Sequence, residues 1–196
     1  MGLTILQAGE TVLRQVAKPL SHKDIRSTFI QTLIPQMRET MYEAPGVGLA
    51  APQIGEGIQL LVLEDREELL QTLPAAQLAE RERRPTPFQI IINPKLIIEN
   101  TQQVEFFEGC LSTKGFIGLV PRYRQVKVHC LNEWAEPTVI EASGWHARIL
   151  QHEIDHLNGI LYLDHVRPRS LMTVDNYIKL WRDKSVACIC QTLHIE

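Results

Sequence analysis

The segment His152-Glu153-Ile154-Asp155-His156 has the residue types and the spacing that a metal-dependent hydrolase needs. On a helix, residues four positions apart lie on one face about one turn apart, so the two imidazoles can reach a single divalent cation. Glu153 follows the first imidazole and can accept a proton from a water molecule that the cation polarises. The competing interpretation is a surface helix that happens to carry two histidines and several acids. A third ligand and an oxyanion site elsewhere in the chain would decide between them.

Cys110, in the segment 108–112 (EGCLS), is a candidate for the third ligand. A metzincin would place a third histidine six residues after the second, but that position is Tyr162. A thermolysin-like protease would take a glutamate from a later helix, and none stands at a plausible position after residue 159. A thiolate with two imidazoles leaves a fourth coordination position open for water, as catalytic zinc sites require.

Periodicity predicts the elements that must position these residues. The helix that carries the motif is predicted to begin at 143–144 and to end at 158–159, where a glycine favours termination. A long amphipathic helix is predicted over about 24–44, and another helix from 170 to about 182. Strands are predicted at 58–64, 89–93, 96–98, 126–131 and 138–142.

Strands that precede a late helix favour an α+β fold, with mixed or antiparallel sheets wrapped around a central HExxH helix. We also expect a long N-terminal helix and a C-terminal helix. The expected catalytic domain covers 1–168, with the helix and tail of 169–196 packed on the same domain. The Gly- and Pro-rich segment 46–53 is expected to lack a regular element, and the polar segment 64–87 to form an exposed excursion with about one helical turn.

Composition restricts the class of protein. The 196 residues, 44% hydrophobic and 22% charged, suit one compact domain, and a net charge of −3 gives no reason to expect DNA binding. No apolar run could span a bilayer and no secretory signal is visible, so we expect a cytoplasmic protein without a membrane partner. The four cysteines do not form a disulfide framework. Cys130 is expected in a strand core, and Cys188 and Cys190 on one face of a short strand.

Three segments together resemble the signature motifs of peptide deformylases, in the order of that family. They are 46–53 (GVGLAAPQ), 108–112 (EGCLS) and 151–159 (QHEIDHLNG), and the resemblance extends over roughly residues 4–168. It implies a metal-dependent hydrolase that removes the formyl group from the formyl-methionine of newly made polypeptides and releases formate. The family's α+β fold, with HExxH on a central helix, agrees with the predicted elements.

The resemblance also implies a role for each residue of the site. Three side chains hold one divalent metal ion, most often Fe²⁺, which Zn²⁺, Ni²⁺ or Co²⁺ can replace. The matching positions are Cys110, His152 and His156. Glu153 acts as general base and acid, and Gln53 with the backbone N–H of Leu111 forms the oxyanion hole.

Substrate-binding residues are predicted beside these groups. Gly46 and Gly48 leave the backbone open to an extended peptide. An apolar pocket for the first side chain is predicted from Val47, Leu111, Trp145 and Ile149. Methionine suits such a pocket because its flexible thioether packs well against an aromatic ring.

The chain departs from the common family pattern after EGCLS, where residues 113–116 (TKGF) replace Ile-Pro-Gly. With the long excursion over 64–87, this departure resembles the subgroup typified by organellar deformylases. Arg122 could pair with Glu108 or lie on the surface, and the sequence leaves both open.

Two other functions remain as alternatives. One is a zinc endopeptidase, and the other is a catalytically silent metal module that binds a partner such as the ribosome. The expected partners are N-formylmethionyl nascent peptides and, transiently, the ribosome. The expected assembly is a monomer or a weak dimer.

Overall fold

The chain forms an α+β fold of two antiparallel β-sheets with helices packed on them. The structure is a computed structural model, and it describes residues 2–71 and 73–195. The expected fold class, α+β with antiparallel sheets, is therefore confirmed. The strands are β1 (Gly48–Ala50), β2 (Leu60–Asp65), β3 (Thr86–Ile97), β4 (Gln103–Gly109), β5 (Phe116–Tyr123), β6 (Gln125–Leu131), β7 (Pro137–Ser143) and β8 (Met172–Thr173). One sheet has the order β1-β2-β3-β6-β7, and the other has the order β4-β5-β8.

Seven α-helical segments accompany the sheets within the described residues. They are α1 (His22–Ile25), α2 (Thr28–Glu43), α3 (Glu67–Leu70), α4 (Ala75–Glu80), α5 (Gly144–Leu157), α6 (Val174–Asn176) and α7 (Val186–Leu193). None of the helices in the described part of the chain combines the length and the apolar character that a bilayer crossing requires.

The five-stranded sheet is buried on both faces, and strand β2 shows why its sequence is continuously apolar. Leu61 and Leu63 belong to a core shared with α5, whereas Leu60 and Val62 point to the opposite face and pack with α2. Alternate residues of a strand face opposite sides, so an uninterrupted Leu-Leu-Val-Leu run fits a strand that is covered twice.

The helix predicted over 24–44 is divided into α1 and α2, so a single helix there is wrong. The hydroxyl of Ser21 accepts a hydrogen bond from the Asp24 backbone N–H at 3.1 Å, which caps the first helix. Ser27 likewise caps α2 by accepting from the Ile30 N–H at 3.4 Å. Two N-capping serines six residues apart explain the break.

The strand predictions omit β1, β4 and β5, and they divide β3 into two strands. Segment 46–53 contains β1 and a 3₁₀ turn, Ala51–Ile54, because Gly48–Ala50 pairs with Leu61–Leu63 of the neighbouring strand. The two predicted strands at 89–93 and 96–98 are one strand, β3, whose register shifts between Ile92 and Lys95. A bulge of this kind tolerates the proline at position 94, which has no N–H to donate.

The C-terminal predictions are wrong in detail. The helix predicted from Ser170 begins at Val174 instead, because residues 172–173 pair with Phe116–Ile117 as strand β8, and it continues as a π-helical segment over Tyr177–Trp181. The residues around Cys188 and Cys190 form helix α7 rather than a strand. The Ser185 hydroxyl caps this helix by accepting from the Cys188 N–H at 3.2 Å. Cys130 is buried in β6, as expected, and its burial raises the pKa of the thiol to about 11.

Candidate active site

Strand β4 and helix α5 bring together a thiol and two imidazoles. Cys110 follows the end of β4, and His152 and His156 lie one turn apart on α5. One ligand atom from each residue lies within 4.8 Å of the other two, and Cys110 Sγ is 3.3 Å from His156 Nε2. Bonds of about 2.0–2.3 Å in a tetrahedral arrangement separate ligand atoms by roughly 3.3–3.8 Å. The donor set therefore fits one divalent metal ion.

The two imidazoles are held differently. His152 Nδ1 lies 2.9 Å from Glu108 Oε2, which leaves the Nε2 atom of this ring for a metal. Burial opposes protonation of His152, but its hydrogen bonds with Cys110 and Glu108 raise its pKa well above the usual value. Burial and then the charge of His152 lower the pKa of His156 well below the usual value, and a neutral imidazole is the form that binds a metal.

Glu108 is the centre of a buried charge network behind the imidazoles. Its Oε1 atom accepts from Arg122 Nε at 3.0 Å and from Arg148 Nη1 at 2.6 Å. Burial alone would raise the pKa of Glu108, but Arg122, His152 and Arg148 together hold it well below the usual range. Arg122 also pairs with Asp155 and is itself buried, so the pairing with Glu108 is confirmed and a surface position is wrong.

Glu153 lies on α5 beside strand β1. Its side chain is 4% exposed, and Oε2 has no hydrogen-bond partner among the described residues. Burial raises the pKa of this carboxyl to about 7. A carboxyl with such a pKa can both accept and donate a proton near neutral pH. Gly48 contacts the Glu153 side chain closely enough that a Cβ at position 48 would overlap the carboxyl carbon.

With the acid–base role that the resemblance implies for Glu153, we expect Gly48→Ala to lower kcat for formate release by about 10- to 100-fold, because a displaced proton-transfer group loses its reactive geometry. The added methyl group would overlap the Oε1, Cδ and Cγ atoms of Glu153 and so displace this side chain. Formate-release kinetics measure the effect. Gly57→Ala is the matched control, since a Cβ there meets nothing within 4 Å. Equal kcat values for the two variants would contradict this packing argument.

The Gln53 amide is fixed beside the thiol of Cys110. Its Oε1 accepts from the Ala50 N–H at 2.9 Å, and its Nε2 donates to Ser112 Oγ at 3.1 Å and lies 3.6 Å from Cys110 Sγ. The side chain is buried on the 3₁₀ turn Ala51–Ile54. The amide N–H groups therefore face the place where the metal ligands meet.

Sequence reasoning missed two residues that position the site. Arg148 lies four residues before His152 and so shares a face of the predicted helix with the imidazoles, and a charged residue at that position is the signal that could have identified it. Gln7 donates to the Leu111 carbonyl at 2.9 Å and accepts from the Lys114 N–H at 3.2 Å, which fixes the loop after Cys110. Gln7 lies 104 residues from Leu111, so no local pattern could predict this contact.

A cleft of about 890 Å³ opens over these groups. Glu153, Gln53, Cys110 and His152 line it, whereas His156 is not among the lining residues. The six predicted substrate-binding residues also line it, namely Gly46, Val47, Gly48, Leu111, Trp145 and Ile149. The cleft therefore joins an apolar surface to a metal-binding group, a buried carboxyl and an amide donor.

Comparison with known proteins identifies the family. The sequence profile of polypeptide deformylases matches residues 3–171. The chain belongs to the polypeptide deformylase family. Peptide deformylase 1A, chloroplastic, of Solanum lycopersicum is 44% identical over 172 residues, which cover 88% of this chain and 62% of that protein. Peptide deformylase 1A, chloroplastic/mitochondrial, of Arabidopsis thaliana is 43% identical over 172 residues, which cover 88% of this chain and 64% of that protein.

These deformylases confirm the expected similarity to the organellar subgroup, and this chain spans less than two thirds of the length of either plant relative. Among solved structures, the Met-Ala-Ser-bound class I type b peptide deformylase of Acinetobacter baumannii superposes with a TM-score of 0.75. It is 30% identical, and the match covers 85% of this chain and 99% of that one. The deformylase fold of the chain follows from this likeness and from the profile.

Proposed function

We propose that this chain is a metal-dependent peptide deformylase, which removes the formyl group from the formyl-methionine of newly made polypeptides and releases formate. The observation that carries the proposal is the convergence of the Cys110 thiol and the two α5 imidazoles beside the buried carboxyl of Glu153. Membership of the polypeptide deformylase family supports the same reaction.

Cys110, His152 and His156 are the proposed metal ligands, and Fe²⁺ is the proposed native ion. Zn²⁺, Ni²⁺ or Co²⁺ can replace it, because thiolate and imidazole ligands suit several metals of this series. When bound, the ion supplies a Lewis acid that polarises a carbonyl group and lowers the pKa of water. The contact between Glu108 and His152 Nδ1 orients one ligand ring toward that ion.

Glu153 is the proposed general base and acid. Its raised pKa lets it take a proton from the attacking water and return that proton to the departing amine. Negative charge develops on the formyl oxygen when the water attacks. Gln53 Nε2 and the Leu111 N–H are the proposed donors that stabilise this charge. One such donor is worth about 2.7–4 kcal/mol in other hydrolases.

The peptide is proposed to bind in extended form along Gly46 and Gly48, with the first side chain against Val47, Trp145 and Ile149. The cleft that these residues line supports this placement. The A. baumannii relative has Met-Ala-Ser bound, which is a peptide that begins with methionine.

Trp145→Ala is expected to raise KM for formyl-Met-Ala-Ser roughly 10-fold while lowering kcat much less. The indole lines the cleft and has no role in the proposed proton transfer, so its loss should weaken ground-state and transition-state binding alike. Steady-state kinetics separate the two constants. Trp134→Ala, which removes an indole that is 59% exposed, is the matched control. A fall in kcat with an unchanged KM would reject the pocket assignment.

We also propose that the chain forms one catalytic unit that works in the cytoplasm. We propose that the sheets wrap around α5 as the central helix, between a long N-terminal helix and a C-terminal helix, because α5 contacts β1, β2, β3, β5, β6 and β7. Residues 1–168 are proposed as the catalytic domain and 169–196 as a segment packed on it, since Ile189 lies in a core with Phe107 and Leu119.

Proposed partners are nascent peptides and, transiently, the ribosome, with a monomer or weak dimer as the working form.

Anaerobic purification with metal analysis, followed by a formate-release assay on formyl-Met-Ala-Ser, tests the proposal. We expect about one metal ion per chain and formate without internal peptide cleavage. Internal cleavage would instead identify an endopeptidase. Metal binding without hydrolysis of any peptide would identify a silent binding module.

A further inference from the structure

Residues 81–83 of the excursion (64–87) lie at the Trp145 end of the cleft, and the proposed reaction makes no use of them. Residues 81–83 of this excursion lie against the first turn of α5. A Cβ built on Gly144, which has a φ of +58°, would overlap Glu82 Cβ and lie 3.0 Å from a backbone oxygen of the excursion. Residues 81–82 of the excursion therefore pack directly against the start of the helix that carries the proposed metal ligands.

A buried ion pair anchors the end of the excursion to the five-stranded sheet. Arg83 Nε lies 2.7 Å from Asp65 Oδ2, and Arg83 Nη2 lies 2.7 Å from Asp65 Oδ1. The two side chains are 10% and 1% exposed. A bidentate pair of this kind fixes the plane of the guanidinium. Asp65 is the last residue of β2, so the anchor belongs to the five-stranded sheet.

Trp145 lies among three guanidinium groups, and the anchor positions one of them, that of Arg83. The Cζ atoms of Arg83 and Arg81 are 5.1 and 5.2 Å from the indole centroid, and that of Arg148 is 5.9 Å away. The Phe106 ring packs at 6.4 Å between centroids. Cations within about 6 Å of an indole are attracted to its π face. Trp145 and Arg83 both line the cleft, so the held indole is part of its wall.

We propose that the Asp65–Arg83 ion pair makes Arg83 a positioning residue, which holds the Trp145 indole in place and so sets the preference of the cleft for a long apolar first side chain. This inference rests on the proposed function. A methionine side chain reaches the indole and gains contact with it, whereas an alanine side chain is too short to do so. The excursion thus determines specificity through Trp145 and takes no part in the reaction itself.

The test compares two substrates, formyl-Met-Ala-Ser and formyl-Ala-Ala-Ser, on the metal-loaded enzyme. Arg83→Met is expected to lower the ratio of their kcat/KM values about 10-fold, through a higher KM for the methionine substrate. The kinetics of the alanine substrate should stay the same. Arg84→Met removes the neighbouring arginine, which is exposed, and should leave the ratio unchanged.

Two further variants make the test decisive. Arg83→Met leaves the Asp65 carboxylate buried without its partner, so the double variant Asp65→Asn/Arg83→Met is measured as well and should show the same lower ratio. In a Trp145→Ala background, Arg83→Met should have no additional effect on the ratio, because Arg83 acts through the indole.

Two outcomes would overturn the inference. One is a wild-type ratio of the two kcat/KM values in both Arg83 variants, even if kcat/KM falls equally for both substrates. The other is a fall of the same size when Arg83→Met is made in the Trp145→Ala background, which would mean that Arg83 contacts the substrate directly. A wild-type enzyme that releases formate from neither substrate would instead refute the proposed function, so the two failures are distinguishable.

Discussion

Glu153→Gln is expected to lower kcat for formyl-Met-Ala-Ser by roughly 10²- to 10⁴-fold, which is the range that a positioned acid–base group contributes. Glutamine has nearly the shape of glutamate but cannot accept the proton of the attacking water. Glu153 is buried, and its Oε2 atom has no partner among the described residues. The substitution therefore removes proton transfer without breaking a hydrogen bond that the structure shows.

Formate-release kinetics and metal analysis on the same preparations separate this effect from loss of the ion. The variant should keep the metal content of the wild type, because the proposed ligands Cys110, His152 and His156 are unchanged. Glu10→Gln changes an exposed glutamate in the same way and should leave kcat unaffected. A Glu153→Gln enzyme with wild-type kcat would show that another group moves the proton.

The sequence predicted the meeting of the metal-binding residues because their chemistry is encoded locally. His152 and His156 need only a helix to share a face, and residues 144–157 form one. Cys110 could be predicted from its residue type, because a thiolate is a good metal ligand. The sequence has neither a third histidine nor a later glutamate at the position where other metal hydrolases place their third ligand. Gln53 was reached only by resemblance, because an isolated loop glutamine carries no chemical signal.

Contacts between segments distant in sequence were beyond such reasoning. The hydrogen bond between Arg148 and Glu108 joins residues 40 apart and depends on how β4 and β5 pack against α5. Strand β1 was missed because three residues, two of them glycine or alanine, form a strand only when a partner such as Leu61–Leu63 is present. The C-terminal helix α7 was missed because alternating cysteines suggest a strand, whereas the Ser185 cap favours a helix.

Glu108→Gln is expected to destabilise the fold by about 3–5 kcal/mol, the usual cost of leaving a buried charge without its partner. Arg148 is 2% exposed, and Glu108 is the only carboxylate that its side chain contacts in the described part of the chain. Arg122 keeps Asp155 as a second acidic partner and should be affected less. Metal affinity should also fall about 10- to 100-fold, because the group that orients the His152 ring is lost.

Urea unfolding of the metal-free chain and a competitive chelator titration measure these two effects. Glu105→Gln is the matched control on the same strand, since its partner Arg167 is 42% exposed and such surface pairs are worth about 0–1 kcal/mol. The double variant Glu108→Gln/Arg148→Met removes the orphaned cation with the carboxylate and should recover part of the lost stability. It should not recover metal affinity, because the contact with His152 remains altered. Recovery of both properties, or of neither, would contradict the separate roles of Glu108 in charge balance and in ligand orientation.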